Sequence, residues 1–170
     1  MNSTITKYLA CHAAHDTWPL TGACDSDALR IVVVIPALAE SRDLFSTLAS
    51  LGSSSASAQA ATLVICVVNN HAAGLSPEED IKDNAATLHQ LRTCISEGRY
   101  APMRLAVVDA ASQDRALPAG EGVGLARKIG LDHGLCILAS AGKLDAPLVC
   151  LDADSPAAPG YLDGVRAFYE

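Results

Sequence analysis

The stretch "RIVVVIPALAESRDLFSTLASLG" (30–52) decides the fold. Its opening run is almost continuously apolar and β-branched, which is how a strand covered on both faces reads, because a half-exposed strand would alternate with polar residues. Beyond Pro36 the period changes. Leu44, Leu48 and Leu51 recur at helical spacing, and Gly52 is placed to close the helix as its C′ residue. A doubly covered strand followed by a helix is the repeating unit of a parallel sheet.

Working outward, three further runs read the same way: "TLVICVV" (62–68), "RLAVV" (104–108) and "PLVCL" (147–151). Helical patterns separate them. "LSPEEDIKDNAATLHQLRTCISEG" (75–98) has Ser76 as N-cap, Pro77 at N1 and Glu79 at N3, with Ile81, Ala85, Leu88 and Ile95 on one face and Gly98 to stop it. "VGLARKIGLDHGLCILAS" (123–140) supplies a third helix, and Tyr161, Leu162, Val165 and Phe168 mark a last one. The alternation predicts a three-layer α/β/α fold with a mostly parallel sheet and right-handed crossovers. Residues 1–29 hold a short helix, "STITKYLACHAAH", and read as an N-terminal extension, while "GSSSASAQA" (52–60) reads as a polar loop.

Composition narrows the function classes. A chain of 170 residues, half of them hydrophobic and 18% charged, is long enough for one domain with its own core. The net charge of −7 and the lack of a Lys/Arg cluster argue against nucleic acid as a partner. Six cysteines include Cys66 and Cys150 inside apolar runs and form no C-x-x-C pair, so they read as reduced thiols of a cytoplasmic protein. No leader pattern and no membrane span is read.

In open parallel sheets, ligands sit at the carboxyl ends of the strands. The segments there are "PALAES", "NNHAAG", "DAASQD" and "DADSP", all rich in polar groups. In the last, Asp152 and Asp154 stand one residue apart, and in an extended chain they point to the same side. Two adjacent carboxylates need a compensating cation, which a hard divalent ion supplies. Equally, Asp154 or Ser155 serves as the N-cap of the following helix.

The four motifs together resemble family 2 glycosyltransferases. "VVVIPALAESRDLFSTLASL" is similar to the family's opening strand, P-A-Y-N-E loop and leucine-rich helix, and "LVICVVNN" to its second strand. "GVGLARKIGLDHGL" resembles the G-x-x-x-A-R-N-x-G helix, and "PLVCLDADSPAAPGYLDGV" the D-x-D strand with its P-x-Y-L helix. The order of the motifs, over roughly 30–170, carries the resemblance. It implies a GT-A fold of the nucleotide-diphospho-sugar transferase type, cut short after the D-x-D motif, with 30–170 forming the donor-binding part. It further implies a nucleotide-sugar donor, usually a UDP-sugar, bound with Mn²⁺ or Mg²⁺. On this reading Asp154 ligates the metal, and Asp152 contacts the ribose or the metal's water shell. Pro36, Ala37 and Glu40 lie over the uridine. Asn69 or Asn70 takes the place of the aspartate that faces the base, and Arg127 matches the family's arginine. The acceptor, whether sugar, lipid-linked or protein, is open, as are a homo-oligomer and a peripheral membrane association through the acceptor.

Three departures accompany the resemblance. Leu38 and Ala39 replace the Tyr and Asn of P-A-Y-N-E, the second strand ends in Asn, and Asp109 ends the third strand in a "VVDAASQD" that mimics the usual second-strand motif. Asp109 therefore reads either as a nucleotide contact or as a loop cap. Inverting transfer needs a general base for the acceptor hydroxyl. In the family it lies well after the D-x-D motif, whereas sixteen residues follow Asp154, so no catalytic residue is assigned and a donor-binding fragment without turnover is the alternative. A haloacid-dehalogenase-type phosphatase also opens on a strand and D-x-D, but Pro156 stands where that chemistry has Thr or Val. Its fold also needs most of the chain after the motif.

Overall fold

A computed structural model describes residues 3–22, 27–71 and 74–169. Among them the chain forms six helices and five strands in the order α1 (Ser3–Cys11), β1 (Leu20–Thr21), β2 (Ile31–Ala37), α2 (Ser41–Leu51), α3 (Ala56–Ala60), β3 (Thr62–Asn69), α4 (Glu78–Glu97), β4 (Arg104–Ala110), α5 (Val123–Ser140), β5 (Leu148–Cys150) and α6 (Tyr161–Tyr169). The sheet order is β1-β4-β3-β2-β5, with β1 antiparallel to β4 and every other pair parallel. The α/β class and the mostly parallel sheet agree with the sequence reading.

The continuous apolar runs are explained by two cores, one on each face. Val33, Ile35, Val64, Cys66 and Val107 point toward α2, α4 and α6, where they meet Leu44, Leu48, Leu91 and Leu162. Val32, Val34, Ile65, Val67 and Val108 point the other way, toward Ala126, Ile129 and Leu138 of α5. Each fully buried Leu or Ile contributes about 1.5–3 kcal/mol relative to exposure. Helix α5 can lie close to the sheet because Gly130 and Gly134 present no side chain. A Cβ at Gly130 would stand 2.3 Å from Val34 Cγ1, and one at Gly134 would stand 2.6 Å from Leu148 Cδ2.

Several local expectations are corrected. Residues 3–22 are part of the packed body: β1 lengthens the sheet, and Trp18 joins the α5-side core. The buried Asp132 of α5 accepts from the Tyr8 hydroxyl at 2.8 Å, the Ala14 N–H at 2.7 Å and Lys128 Nζ at 2.5 Å, and His133 Nε2 meets the Trp18 carbonyl at 2.7 Å. Part of the expected polar loop is helix α3, because the Ser55 hydroxyl caps Ala58 N–H. Helix α4 starts after Pro77, and the Ser76 hydroxyl instead accepts from His71 N–H. Its buried face is Asn84, Thr87, Leu88, Leu91 and Cys94, a rotation that leaves Ile81 exposed. Gly98 does take the left-handed C-cap conformation, whereas Gly52 does not. Cys150 is exposed, since β5 is a short edge strand, and no disulfide joins the described residues. None of the described helices is long and apolar enough to cross a membrane.

Candidate functional site

The chain runs from β2 outward through β3 to β4, with α2 and α4 on one face, then crosses back through α5 on the opposite face to place β5 on the other side of β2. The direction of winding therefore reverses between β2 and β5. Loops leaving adjacent strands at such a point diverge to opposite faces and open a crevice at the carboxyl ends of the strands. Pro36 and Ala37 end β2, Glu40 follows it, and Asp152 and Asp154 follow β5, so five of the residues singled out in the sequence meet at this reversal.

The paired aspartates are separated by a residue that belongs to the core. Ala153 is buried and its carbonyl accepts from Thr47 Oγ1 at 2.7 Å, which pins the turn to α2 and turns both flanking carboxylates outward. A tight bond from Ser155 N–H to the Asp152 carbonyl at 3.1 Å closes the turn. Arg127, one turn into α5, forms an ion pair with Asp152, both side chains being partly exposed. Asp154 has a solitary hydrogen bond among the described residues, from the neighbouring Ser155 hydroxyl at 3.3 Å. It does not cap α6, which starts at Tyr161.

Glu40 shares the same electrostatic environment. Partial burial pushes its carboxyl above the ordinary value, and the negative charges of Asp154, Asp152 and Asp43 add to that effect against the opposing N–H of Leu38. A cation placed here would lower that repulsion. No group of three or more His, Cys, Asp or Glu among the described residues is arranged to hold a metal. Asp154, bonded to the Ser155 hydroxyl, and Asp152, paired with Arg127, are two carboxylates and do not form an all-protein cage; a hard ion held by them would take most of its oxygens from elsewhere.

The loop carrying Glu40 is held from α4. Asn84, 1% exposed, accepts from Ala39 N–H at 2.8 Å and donates to the Asn69 carbonyl at 3.0 Å and to Asn70 Oδ1 at 2.7 Å. Next to it, Asp83 accepts from Ser41 N–H at 3.1 Å and from the Ser41 hydroxyl at 2.5 Å, capping α2 from outside. Ala39 sits at φ +54, a left-handed conformation uncommon for a residue with a side chain, so these contacts hold a strained loop at the site. Neither Asn84 nor Asp83 is among the residues singled out in the sequence. The signal that exists is the pair of polar residues on the inner side of a helix whose Leu88, Leu91 and Cys94 point to the sheet.

The two asparagines diverge. Asn69 lines a cleft of about 260 Å³ together with Pro36, Ala37, Leu38, Glu40 and Val123. Asn70 spends its amide on the Ala111 carbonyl at 2.7 Å and on Asn84, and borders a second cleft with His71, Ile81 and Gln113 over β3 and β4. That second cleft is mostly apolar and lies away from the winding reversal.

Asp109 is a loop cap. Its Oδ1 accepts from Ala111 N–H at 3.2 Å and Ser112 N–H at 3.0 Å, and its Oδ2 from the Ser112 hydroxyl at 2.8 Å and Arg92 at 3.0 Å. Burial raises its pKa, but the Ser112, Ala111 and Arg92 donors outweigh burial and hold the carboxyl below its usual value. Its side chain lies on the α4 face, whereas Asn69 points to the α5 face, so the two do not converge. Comparison of the chain with models of protein families, with curated proteins and with solved structures gives no match.

Proposed function

We propose that this chain binds a nucleoside-diphosphate sugar, most simply a UDP-sugar, in the crevice between β2 and β5, and forms the donor side of a GT-A-type glycosyltransferase. The observation that carries the reading is the convergence of Glu40, Asp152, Asp154 and Arg127 at the point where the winding of a parallel sheet reverses. Such a crevice is where open α/β sheets bind nucleotides. The order of four motifs in the sequence supports the same reading independently.

Asp154, with Asp152 beside it, would hold a divalent Mn²⁺ or Mg²⁺ ion. When bound, that ion supplies charge neutralisation for the diphosphate leaving group. The chain's own residues do the rest. Arg127 contributes positive charge next to Asp152 and orients that carboxylate. Glu40, held by the Leu38 N–H and by the Asn84-braced loop, presents a hydrogen-bond acceptor suited to ribose hydroxyls. Asn69 offers an amide, both donor and acceptor, at the floor of the adjoining cleft.

Calorimetric titration of UDP with and without Mn²⁺ tests the reading. UDP binding that Mn²⁺ strengthens and Asp154→Ala weakens is expected, and UDP binding indifferent to both metal and Asp154 would overturn it.

A further inference from the structure

Helix α5 runs antiparallel to β2 and β3, so its N-terminus lies over the carboxyl ends of those strands, with Val123 in the wall of the cleft that Pro36 and Asn69 also line. Its N-cap is Gly122, which has no side chain to satisfy the first N–H groups, and among the described residues none caps Val123, Gly124 or Leu125 from elsewhere. Space is open around both Gly122 and Gly124 where a Cβ would project, so a ligand can reach the backbone there. The independent observation is Asn69. It is 1% exposed, yet its Nδ2 has no hydrogen-bond partner, an arrangement that costs free energy unless a bound group accepts from it.

We infer that the α5 N-terminus and the Asn69 amide together form a phosphate seat, which receives the anionic part of the ligand without help from a metal. Free N–H groups and the helix dipole favour a doubly charged oxyanion, and Asn69 Nδ2 donates to one of its oxygens. The identity of that oxyanion as part of a nucleotide rests on the proposed function, but the seat itself does not. It puts the phosphates on the α5 side of the sheet, in the cleft whose wall Glu40 shares with Asn69 and Val123.

The test uses inorganic pyrophosphate in metal-free buffer and the amide NMR spectrum of the full chain. Saturable shifts of the Gly122–Leu125 backbone amides and of the Asn69 side-chain NH₂ are expected. Two variants should weaken binding at least about tenfold. Asn69→Leu removes the donor while filling the same buried space, and Val123→Pro removes one N–H at a position where proline is compatible with the helix. Thermal melts check that both variants stay folded. Pyrophosphate that shifts other residues, or both folded variants binding like wild type, would overturn the seat. UDP is the second probe: UDP bound with Mn²⁺ but indifferent to both variants refutes the seat alone, and pyrophosphate seated at α5 without any UDP binding supports the seat while refuting the nucleotide-sugar reading.

Discussion

Replacing Asn84 with alanine is the perturbation with the largest expected local effect. The side chain is 1% exposed and makes three hydrogen bonds, at 2.7, 2.8 and 3.0 Å, to Asn70, Ala39 and Asn69. At about 1 kcal/mol net for each, the loss is about 3 kcal/mol, a large share of the 5–15 kcal/mol typical of a domain. Stranding the Ala39 N–H also removes what holds a left-handed residue in place, so the Glu40 loop should loosen. The single Trp18, buried against α5, is a fluorescence reporter for urea unfolding. With a slope of about 2 kcal/mol/M, the midpoint should fall by about 1.5 M. Asn84→Asp should be at least as damaging at neutral pH, because a carboxylate would face the Asn69 carbonyl and Asn70 Oδ1. A shift below about 0.5 M in Asn84→Ala, or an Asn84→Asp protein as stable as wild type, would refute the reasoning.

Other perturbations probe other links. Gly130→Ala should destabilise by about 1–3 kcal/mol, since its Cβ would meet Val34 at 2.3 Å and α5 must move off the sheet; an unchanged melting temperature would contradict that packing. Burial holds His133 below its ordinary value of 6.5 despite the Trp18 carbonyl, so the folded state disfavours protonation. Stability is then full above the ordinary histidine range and declines as the pH falls through it, and His133→Gln should flatten that decline in pH-dependent melts. Arg127→Ala breaks a partly exposed ion pair, so it should change stability by less than about 1 kcal/mol yet weaken UDP binding clearly, and equal binding by calorimetry would remove Arg127 from the site.

The three central strands were legible because each is buried on both faces and so carries no alternation. The short edge strand β5 was legible from the same kind of run, but its exposure was not, because a sequence does not announce which strand is the edge. Strand β1 left almost no signal: two residues, with Gly22 beside them where a Cβ would stand 2.9 Å from the Ala106 Cα. Docking of residues 3–22 was hidden for a different reason, since Asp132 meets Tyr8 and Ala14 across more than a hundred residues of chain. At the candidate site, Glu40, Asp152, Asp154 and Arg127 were readable because each stands in a motif just after a strand or at a helix start. Asp109 looked equivalent by the same rule, and only its four donors distinguish a cap from a contact. Asn84 and the orphaned Asn69 amide depend on three-dimensional neighbours that no local pattern encodes.

Paramagnetic Mn²⁺ offers the most direct test of the central claim, because it broadens amide signals near wherever it binds. With UDP present, the account predicts selective loss of signals from residues 38–41 and 152–155, around Glu40, Asp152 and Asp154, while those at the opposite end of the sheet, around Arg30 and Asp145, persist. Broadening centred elsewhere, or none at all in the presence of UDP, would contradict it.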